Sequence, residues 1–384
     1  MHVRRIGIIM NGVTGRMGTN QHLVRSIAAI RAEGGLRLAS GERLMPEPLL
    51  VGRNAAKVEA LAKAHGIERW STDLDAALGD REWEIFFDAA TTQARAALLK
   101  RAIAAGKHVY CEKPSAAALP DAIEVARLAK HAGIRHGVVQ DKLFLPGLRK
   151  LKLVIDSGFL GKILSVRGEF GYWVFEGDWQ PAQRPSWNYK RAEGGGIILD
   201  MLCHWRYVLD NLFGTVRAVS CLGAVHIPRR VDEDGAAYDA DAEDAAYATF
   251  QLEGGVIAHI NSSWCTRVRR DDLAVFHVDG THGSAVAGLQ GCWTQARVNT
   301  PKPVWNPDVP QPIRFFDTWA EVPDNVSYPN GFRAEWELFL RHVAGEEEKF
   351  PWNLEAGARG VQLAEAGLQS WRERRWIDVP DLEF

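Results

Sequence analysis

Hydrophobic positions along this chain follow two rhythms. Up to about residue 140, short apolar runs alternate with stretches whose apolar residues recur every three or four positions. Residues 5–10 predict a first strand and residues 18–31 a helix. A second strand is expected at 48–52, then an alanine-rich helix at 55–65 that stops at Gly66. The pattern repeats with a strand at 85–90, a helix at 93–105 stopped by Gly106, and a strand at 108–111. A helix at 120–132 before Gly133 and a strand at 135–140 complete it. Short strands separated by helices of this length predict a parallel sheet with helices on both faces.

Beyond that point polar and apolar residues alternate one by one, at 161–175, 216–227, 245–252 and 256–264. Glu253-Gly254-Gly255 is a hairpin signal between the last two. Segments 273–278 and 284–289 follow, joined through Asp279-Gly280. Such strands predict a mostly antiparallel sheet with one covered face. Helices are expected at 197–213, 331–343 and 354–371. The fold class is therefore α/β in two domains: a parallel-sheet domain at 1–140, and at 141–384 an α/β domain with a mostly antiparallel sheet. The acidic stretch 232–244 reads as a solvated loop between strands, and the proline-rich segment 300–312 as a surface loop.

Composition narrows the function. A chain of 384 residues is long enough for two cores. A net charge of −2 gives no basic surplus for nucleic acid. The five cysteines contain no CxxC pair, so reduced, buried thiols of a cytoplasmic protein are expected rather than a disulfide framework or zinc ribbon. No run approaches the roughly 20 apolar residues that cross a bilayer, and no membrane partner is expected. Several of the fourteen tryptophans cluster between Trp173 and Trp205. Such aromatics build either a core or a wall against the C–H face of a sugar ring.

The first candidate for chemistry follows the first strand: Asn11-Gly12-Val13-Thr14-Gly15-Arg16-Met17-Gly18. Glycines at this spacing, between a strand and a helix, let a backbone turn approach a pyrophosphate and present helix N–H groups to it. Dinucleotide folds usually carry an acid at the end of the second strand, to bind the ribose 2′-hydroxyl. Here the sequence is Val51-Gly52-Arg53-Asn54. A guanidinium pairs with a 2′-phosphate where a carboxylate repels it, and Arg16 adds a second cation, so NADP is favoured over NAD.

The second candidate is Glu112-Lys113-Pro114, at the carboxyl end of a later strand. An ammonium there stabilises developing negative charge on a reacting oxygen, or helps move its proton. The third is Gly194-Gly195-Gly196 followed by Asp200 and His204. Four apart, Asp200 and His204 share one face of an otherwise apolar helix. A structural pair, a metal pair lacking a third ligand and a catalytic pair all fit that spacing; no metal is expected.

In order and spacing these three motifs resemble the Gfo/Idh/MocA family, which includes glucose–fructose oxidoreductase and inositol dehydrogenase. The likeness extends to 156–162, 332–336 and 371–380 and so covers nearly the whole chain. It implies a Rossmann domain followed by an α/β domain whose open sheet mediates a homodimer or homotetramer. It also implies hydride transfer between a nicotinamide and a hydroxyl or ketone carbon of a sugar, glycoside or cyclitol. By position Lys113 matches the catalytic lysine, and Asp200 and His204 match the acid and histidine around the substrate hydroxyl. Cofactor contacts are expected from Gly12, Thr14, Gly15, Arg16 and Met17 in the turn. Arg53, Asn54, Thr91, Glu112 and Lys113 are expected to add to them. Trp173, Trp187, Asn188, Tyr189 and Lys190 are expected to line the substrate side with Asp200 and His204. Two segments depart from the family pattern. Thr91-Thr92-Gln93-Ala94-Arg95 stands where Pro-Asn-x-x-His is common, and Gln140-Asp141-Lys142-Leu143-Phe144 where an asparagine and an arginine are often seen. Two other functions fit the same scaffold: a glycoside-cleaving enzyme that oxidises its sugar transiently, and a cofactor-binding regulator. Retention of Lys113, Asp200 and His204 together argues against the regulator.

Overall fold

The computed structural model describes residues 2–172 and 185–384. It contains two compact units. The first is built from residues up to Phe144, Pro329–Glu365 and Asp381–Phe384; the second from Leu145–Tyr328 and Ala366–Pro380. A single cut after residue 140 thus describes the first crossing of the chain and misses its return.

The first unit is organised around a seven-stranded sheet: β1 (Val3–Asn11), β2 (Leu36–Arg37), β3 (Arg43–Val51), β4 (Trp70–Ser71), β5 (Trp83–Asp88), β6 (His108–Cys111) and β7 (His136–Val138). β2 pairs antiparallel to β3; every other pairing is parallel. The parallel strands run β4-β3-β1-β5-β6-β7, the doubly wound order that reverses between β1 and β5. Ile6, Ile8 and Met10 of β1 join the core on one face and Ile9 that on the other, which is why this strand reads as a continuous apolar run.

β3 begins well before the expected 48–52 and contains both Pro46 and Pro48. The Arg43 N–H points to β1, donating to the His2 carbonyl, whereas the Leu50 N–H points the other way, to Arg69. Even-numbered residues therefore face away from β1. The missing N–H groups of Pro46 and Pro48 fall on that edge, between the short pairings with β2 and β4.

The returning segment completes both faces of this sheet. Trp336, Phe339, Leu340, Val343 and Phe350 pack with Phe87 and Tyr110 on one side. Leu354, Ala358 and Val361 pack with Phe86 and Val109 on the other. Apolar surface on both faces of a parallel sheet has to be covered, and the early helices alone do not cover it.

The second unit holds a nine-stranded sheet in the order β17-β16-β15-β14-β8-β13-β12-β9-β18. Its strands are β8 (Ile163–Gly171), β9 (Val216–Ala224), β12 (Ala245–Leu252), β13 (Ile257–Ser263), β14 (Ala274–Gly280), β15 (Gly283–Ala287), β16 (Cys292–Ala296), β17 (Ala320–Glu321) and β18 (Ile377–Asp378). β8 and β13 pair in parallel; the remaining pairs are antiparallel. Helices Pro146–Asp156 and Ile197–Leu212 pack against this sheet. A separate hairpin, β10 (Arg229–Val231) with β11 (Ala237–Asp239), occupies most of the acidic stretch. The expectation of a solvated stretch holds for Glu233, Asp234, Asp239 and Asp241, which are exposed, and fails at its end. Glu243 and Asp244 are buried, and Asp244 binds the buried Arg230 at 2.8 Å and accepts the N–H groups of His226 and Ile227. Asp244 thus has a cation and backbone donors inside the unit.

Cys111, Cys203, Cys221 and Cys292 are buried free thiols and Cys265 a partly buried one. No helix among the described residues is long and apolar enough to cross a membrane.

Candidate active site

Register places the functional turns of the first unit in one row. Val51 pairs with Asn11, Asn11 with Asp88, Asp88 with Cys111, and Cys111 with Val138. The turns holding Gly12–Gly18, Arg53, Thr91 and Lys113 therefore leave the sheet at one edge, its carboxyl end, on both sides of the β1/β5 reversal.

The three turn glycines differ in what constrains them. Gly12 has φ +75°, and a Cβ there would lie 2.4 Å from the Ala90 nitrogen. Gly18 would meet the Val13 Cα at 2.7 Å. Gly15 needs no left-handed backbone, and its nearest neighbour would be 3.6 Å away. Packing inside the chain thus explains the outer two glycines and leaves the middle one, which is exposed together with Thr14 and Arg16, open to a ligand approaching the backbone. The helix that follows, Gly18–Ala28, is wound as a π-helix with no side-chain cap and no acid in its first turn. Its first N–H groups suit an anion. These residues fit a dinucleotide pyrophosphate. Met17 is half-buried at the head of the helix.

β3 ends at Val51, so Gly52 and the exposed Arg53 stand where the ribose-binding acid is expected. A Cβ on Gly52 would press on Val58 at 2.7 Å. Asn54 caps helix Ala55–Ala64, its side chain accepting the Lys57 N–H at 3.0 Å. Thr91 is exposed and precedes helix Thr92–Ala104 without a side-chain cap.

Buried charges tie these turns together. Asp88, fully buried, accepts from Asn11 Nδ2 at 2.7 Å and from Arg95 Nε at 3.0 Å. The remaining guanidinium nitrogens of Arg95 donate to the carbonyls of Ala90 and Pro114. Arg95 stands in the segment that departs from the family pattern, and it pins the turn that follows Lys113. Glu112, expected at the cofactor, lies behind the turn. Its Oε1 takes a hydrogen bond from His22 at 2.8 Å and its Oε2 one from the Lys113 N–H at 3.1 Å. Both oxygens make hydrogen bonds within the chain. Lys113 is half-buried.

In the second unit Asp200 and His204 sit on helix Ile197–Leu212, one turn apart. Gly196, with φ +120°, begins this helix; a Cβ there would lie 2.4 Å from the Glu243 carboxylate. Glu243 reaches across to receive the Ile197 N–H on its carbonyl and the Ile198 N–H on Oε1, both at 3.0 Å. Burial pushes the Glu243 carboxyl above its usual range. His204 is buried, its Nδ1 2.6 Å from the Tyr207 hydroxyl. Tyr207, three residues on, was not singled out from the sequence, although the i, i+3 spacing carried the signal. Trp205 is core: its indole donates to Ser262 and its ring packs on Phe170 and Phe276.

The substrate-side expectations divide. Trp187 is 45% exposed. Lys190 reaches Glu193 at 3.5 Å and the Tyr238 ring at 5.0 Å. Asn188 is buried, donating to the Pro185 carbonyl and accepting from Gly196 on its own. Tyr189 is 1% exposed beneath the Arg230 guanidinium at 3.8 Å, so interior packing accounts for it. Trp173 lies outside the described residues. No group of three or more His, Cys, Asp or Glu side chains among the described residues is gathered to hold a metal ion.

A doubly wound sheet with an open glycine turn at its reversal, followed by a large second sheet, defines an oxidoreductase of the NAD-binding Rossmann class. Residues 39–139 match the model of the oxidoreductase family with NAD-binding Rossmann fold, and residues 148–286 that of the GFO/IDH/MocA C-terminal domain. The chain is 57% identical over 382 residues to the D-xylose dehydrogenase of Paenarthrobacter nicotinovorans, covering 98% of each protein. It is 28% identical over 279 residues to the 1,5-anhydro-D-fructose reductase of Ensifer adhaerens, covering 71% of this chain and 74% of that one. A levoglucosan dehydrogenase solved with NADH and levoglucosan shares the fold, with a TM-score of 0.80 at 20% identity over 98% of this chain and all of that one. The chain belongs to the Gfo/Idh/MocA oxidoreductase family.

Proposed function

We propose that this protein is an NADP-preferring sugar dehydrogenase that oxidises a hydroxyl carbon of a pentose such as D-xylose. The observation that carries the reading is the 57% identity to a D-xylose dehydrogenase along 98% of both chains. A bound nicotinamide supplies the hydride acceptor. His204, whose Nδ1 lies 2.6 Å from the Tyr207 hydroxyl, takes the hydroxyl proton. Lys113 hydrogen-bonds the same oxygen and stabilises the charge that develops as the proton leaves. Asp200 orients the substrate or His204. Trp173, Trp187, Asn188, Tyr189 and Lys190 are the substrate-side candidates. The preference for NADP rests on Arg53, exposed after β3 with no acid beside it. Tyr247, Leu222, Ile257 and Trp293 are exposed on the large sheet, which supports a homodimer or homotetramer built on it.

The test is an initial-rate assay with D-xylose, other aldoses and polyols, against NADP and NAD in parallel. The expected outcome is turnover on a pentose with NADP preferred. Arg53→Glu should cost NADP about tenfold or more in kcat/KM while sparing NAD, since a charged hydrogen bond is worth about 1.5–3 kcal/mol. Equal losses for both cofactors would contradict the role of Arg53. Absence of turnover on every sugar would contradict the substrate class.

A further inference from the structure

Lys113 follows a residue that the mechanism does not use. We propose that Trp336, His22 and Glu112 form an orienting chain that holds a carboxylate directly behind Lys113 and so keeps this lysine charged and in place. The inference rests on the reading of Lys113 as the catalytic lysine.

The direction of the chain follows from its donors. The Trp336 indole N–H donates to His22 Nδ1 at 3.0 Å. An indole nitrogen only donates, so Nδ1 carries the lone pair and the ring proton resides on Nε2. Nε2–H in turn donates to Glu112 Oε1 at 2.8 Å. The other carboxylate oxygen receives the backbone N–H of Lys113 itself. His22 is fully buried, with its ring 4.4 Å from that of Phe87 and 5.2 Å from that of Phe332, so its orientation is set by packing as well as by hydrogen bonds.

Every element around Glu112 bears on its charge. His22 faces it from helix Gly18–Ala28, Arg95 from helix Thr92–Ala104, and Glu335 from helix Gly331–Ala344; the carbonyl of the buried Asp88 on β5 accepts its N–H, and Tyr110, Cys111 and Lys113 are its neighbours in sequence. Burial resists ionisation of Glu112, while the His22 hydrogen bond and the charges of Lys113 and Arg95 favour its carboxylate. Glu335 behaves oppositely. Burial pushes its carboxyl well above the usual range, although it accepts the Gln140 N–H on both oxygens. Of the three buried acids here, Asp88 is paired with Arg95, Glu112 at the Lys113 turn is favoured as the anion, and Glu335 behind it is favoured as the neutral acid. That sorting favours a negative charge where it stabilises an ammonium.

Two variants and a control test the chain. Glu112→Gln keeps the shape and removes the charge; Trp336→Phe keeps the ring and removes the indole donor. The readouts are the pH profile of kcat/KM and the dissociation constant for NADPH. The alkaline limb, on which Lys113 loses its proton, should move to lower pH by about one unit in Glu112→Gln, and by less in Trp336→Phe. NADPH binding should stay within about twofold. A uniform fall in kcat/KM at every pH, with the limb unmoved, would mean a structural role only and overturn the inference. If Glu112→Gln fails to fold by circular dichroism, Trp336→Phe decides by the same criterion. Turnover that survives in Lys113→Ala would instead remove the catalytic reading of Lys113 on which the inference stands.

Discussion

Two glycine-rich turns in this protein read alike in sequence and do opposite things. Each ends in a helix, at Gly12–Gly18 in the first unit and at Gly194–Gly196 in the second. The first is exposed at Thr14, Gly15 and Arg16, and its helix starts with no side-chain cap. In the second, Gly195 and Gly196 are buried, and Glu243 supplies both a carbonyl and a carboxylate to the helix start. The first turn leaves its N–H groups for an anion from outside; the second has a protein carboxylate in that place already. What separates a ligand-binding turn from an internally capped one is therefore the burial of the turn and the identity of its cap. The internally capped helix has its own use, since a fixed start sets where Asp200 and His204 lie.

The contrast breaks most severely at Gly196. Gly196→Ala puts a methyl group against the Glu243 carboxylate at a backbone angle that L-residues rarely adopt. Strain of this kind costs about 1–3 kcal/mol, and thermal denaturation should show it together with a fall in kcat. Gly15→Ala sharpens the contrast from the other side. With no neighbour nearer than 3.6 Å, the methyl group should leave stability within about 0.5 kcal/mol of wild type. Titration with NADPH should nevertheless show binding weakened by about tenfold, or about 1.4 kcal/mol. A stability loss in Gly15→Ala with binding intact would reverse the assignment of the two turns.

A smaller effect separates Glu335 from the other buried acids of the first unit. The carboxyl of Glu335 lies above its unfolded value in the folded protein, so the native state binds the extra proton. Its contribution is complete below the unfolded carboxylate range and is lost as pH rises toward the folded value. Glu335→Gln lacks that titration. Its stability relative to wild type should therefore rise from acidic to neutral pH in denaturant melts, whereas a difference independent of pH would mean that Glu335 ionises as an ordinary carboxylate.

Much of the architecture was legible in local pattern. The strands at 85–90, 108–111 and 245–252, the helices at 120–132 and 197–213, and all three motif segments lie within a few residues of their expected places. What escaped depends on contacts distant in sequence. The return of 329–365 to the first sheet is invisible to periodicity, because a helix shows an apolar face without showing what covers it. β3 begins five residues before its expected start, across Pro46, which a strand tolerates where the missing N–H faces an unpaired edge. Asp244 read as solvated with its neighbours because its partner, Arg230, could not be seen to be buried with it. His22 carried no signal at all: its partners Glu112 and Trp336 are 90 and 314 residues away. That Glu112 bonds His22 and the Lys113 N–H is likewise visible only in side-chain geometry.

The central claim is that cofactor binding and proton handling belong to separable groups, with Lys113 serving the chemistry. Lys113→Ala, assayed for sugar oxidation and titrated with NADPH by nicotinamide fluorescence, tests it most directly. The account predicts turnover lower by about 10²–10⁴-fold, the range of a positioned proton-handling group, with NADPH binding largely kept. Loss of binding and turnover in equal measure would contradict it and make Lys113 a cofactor anchor.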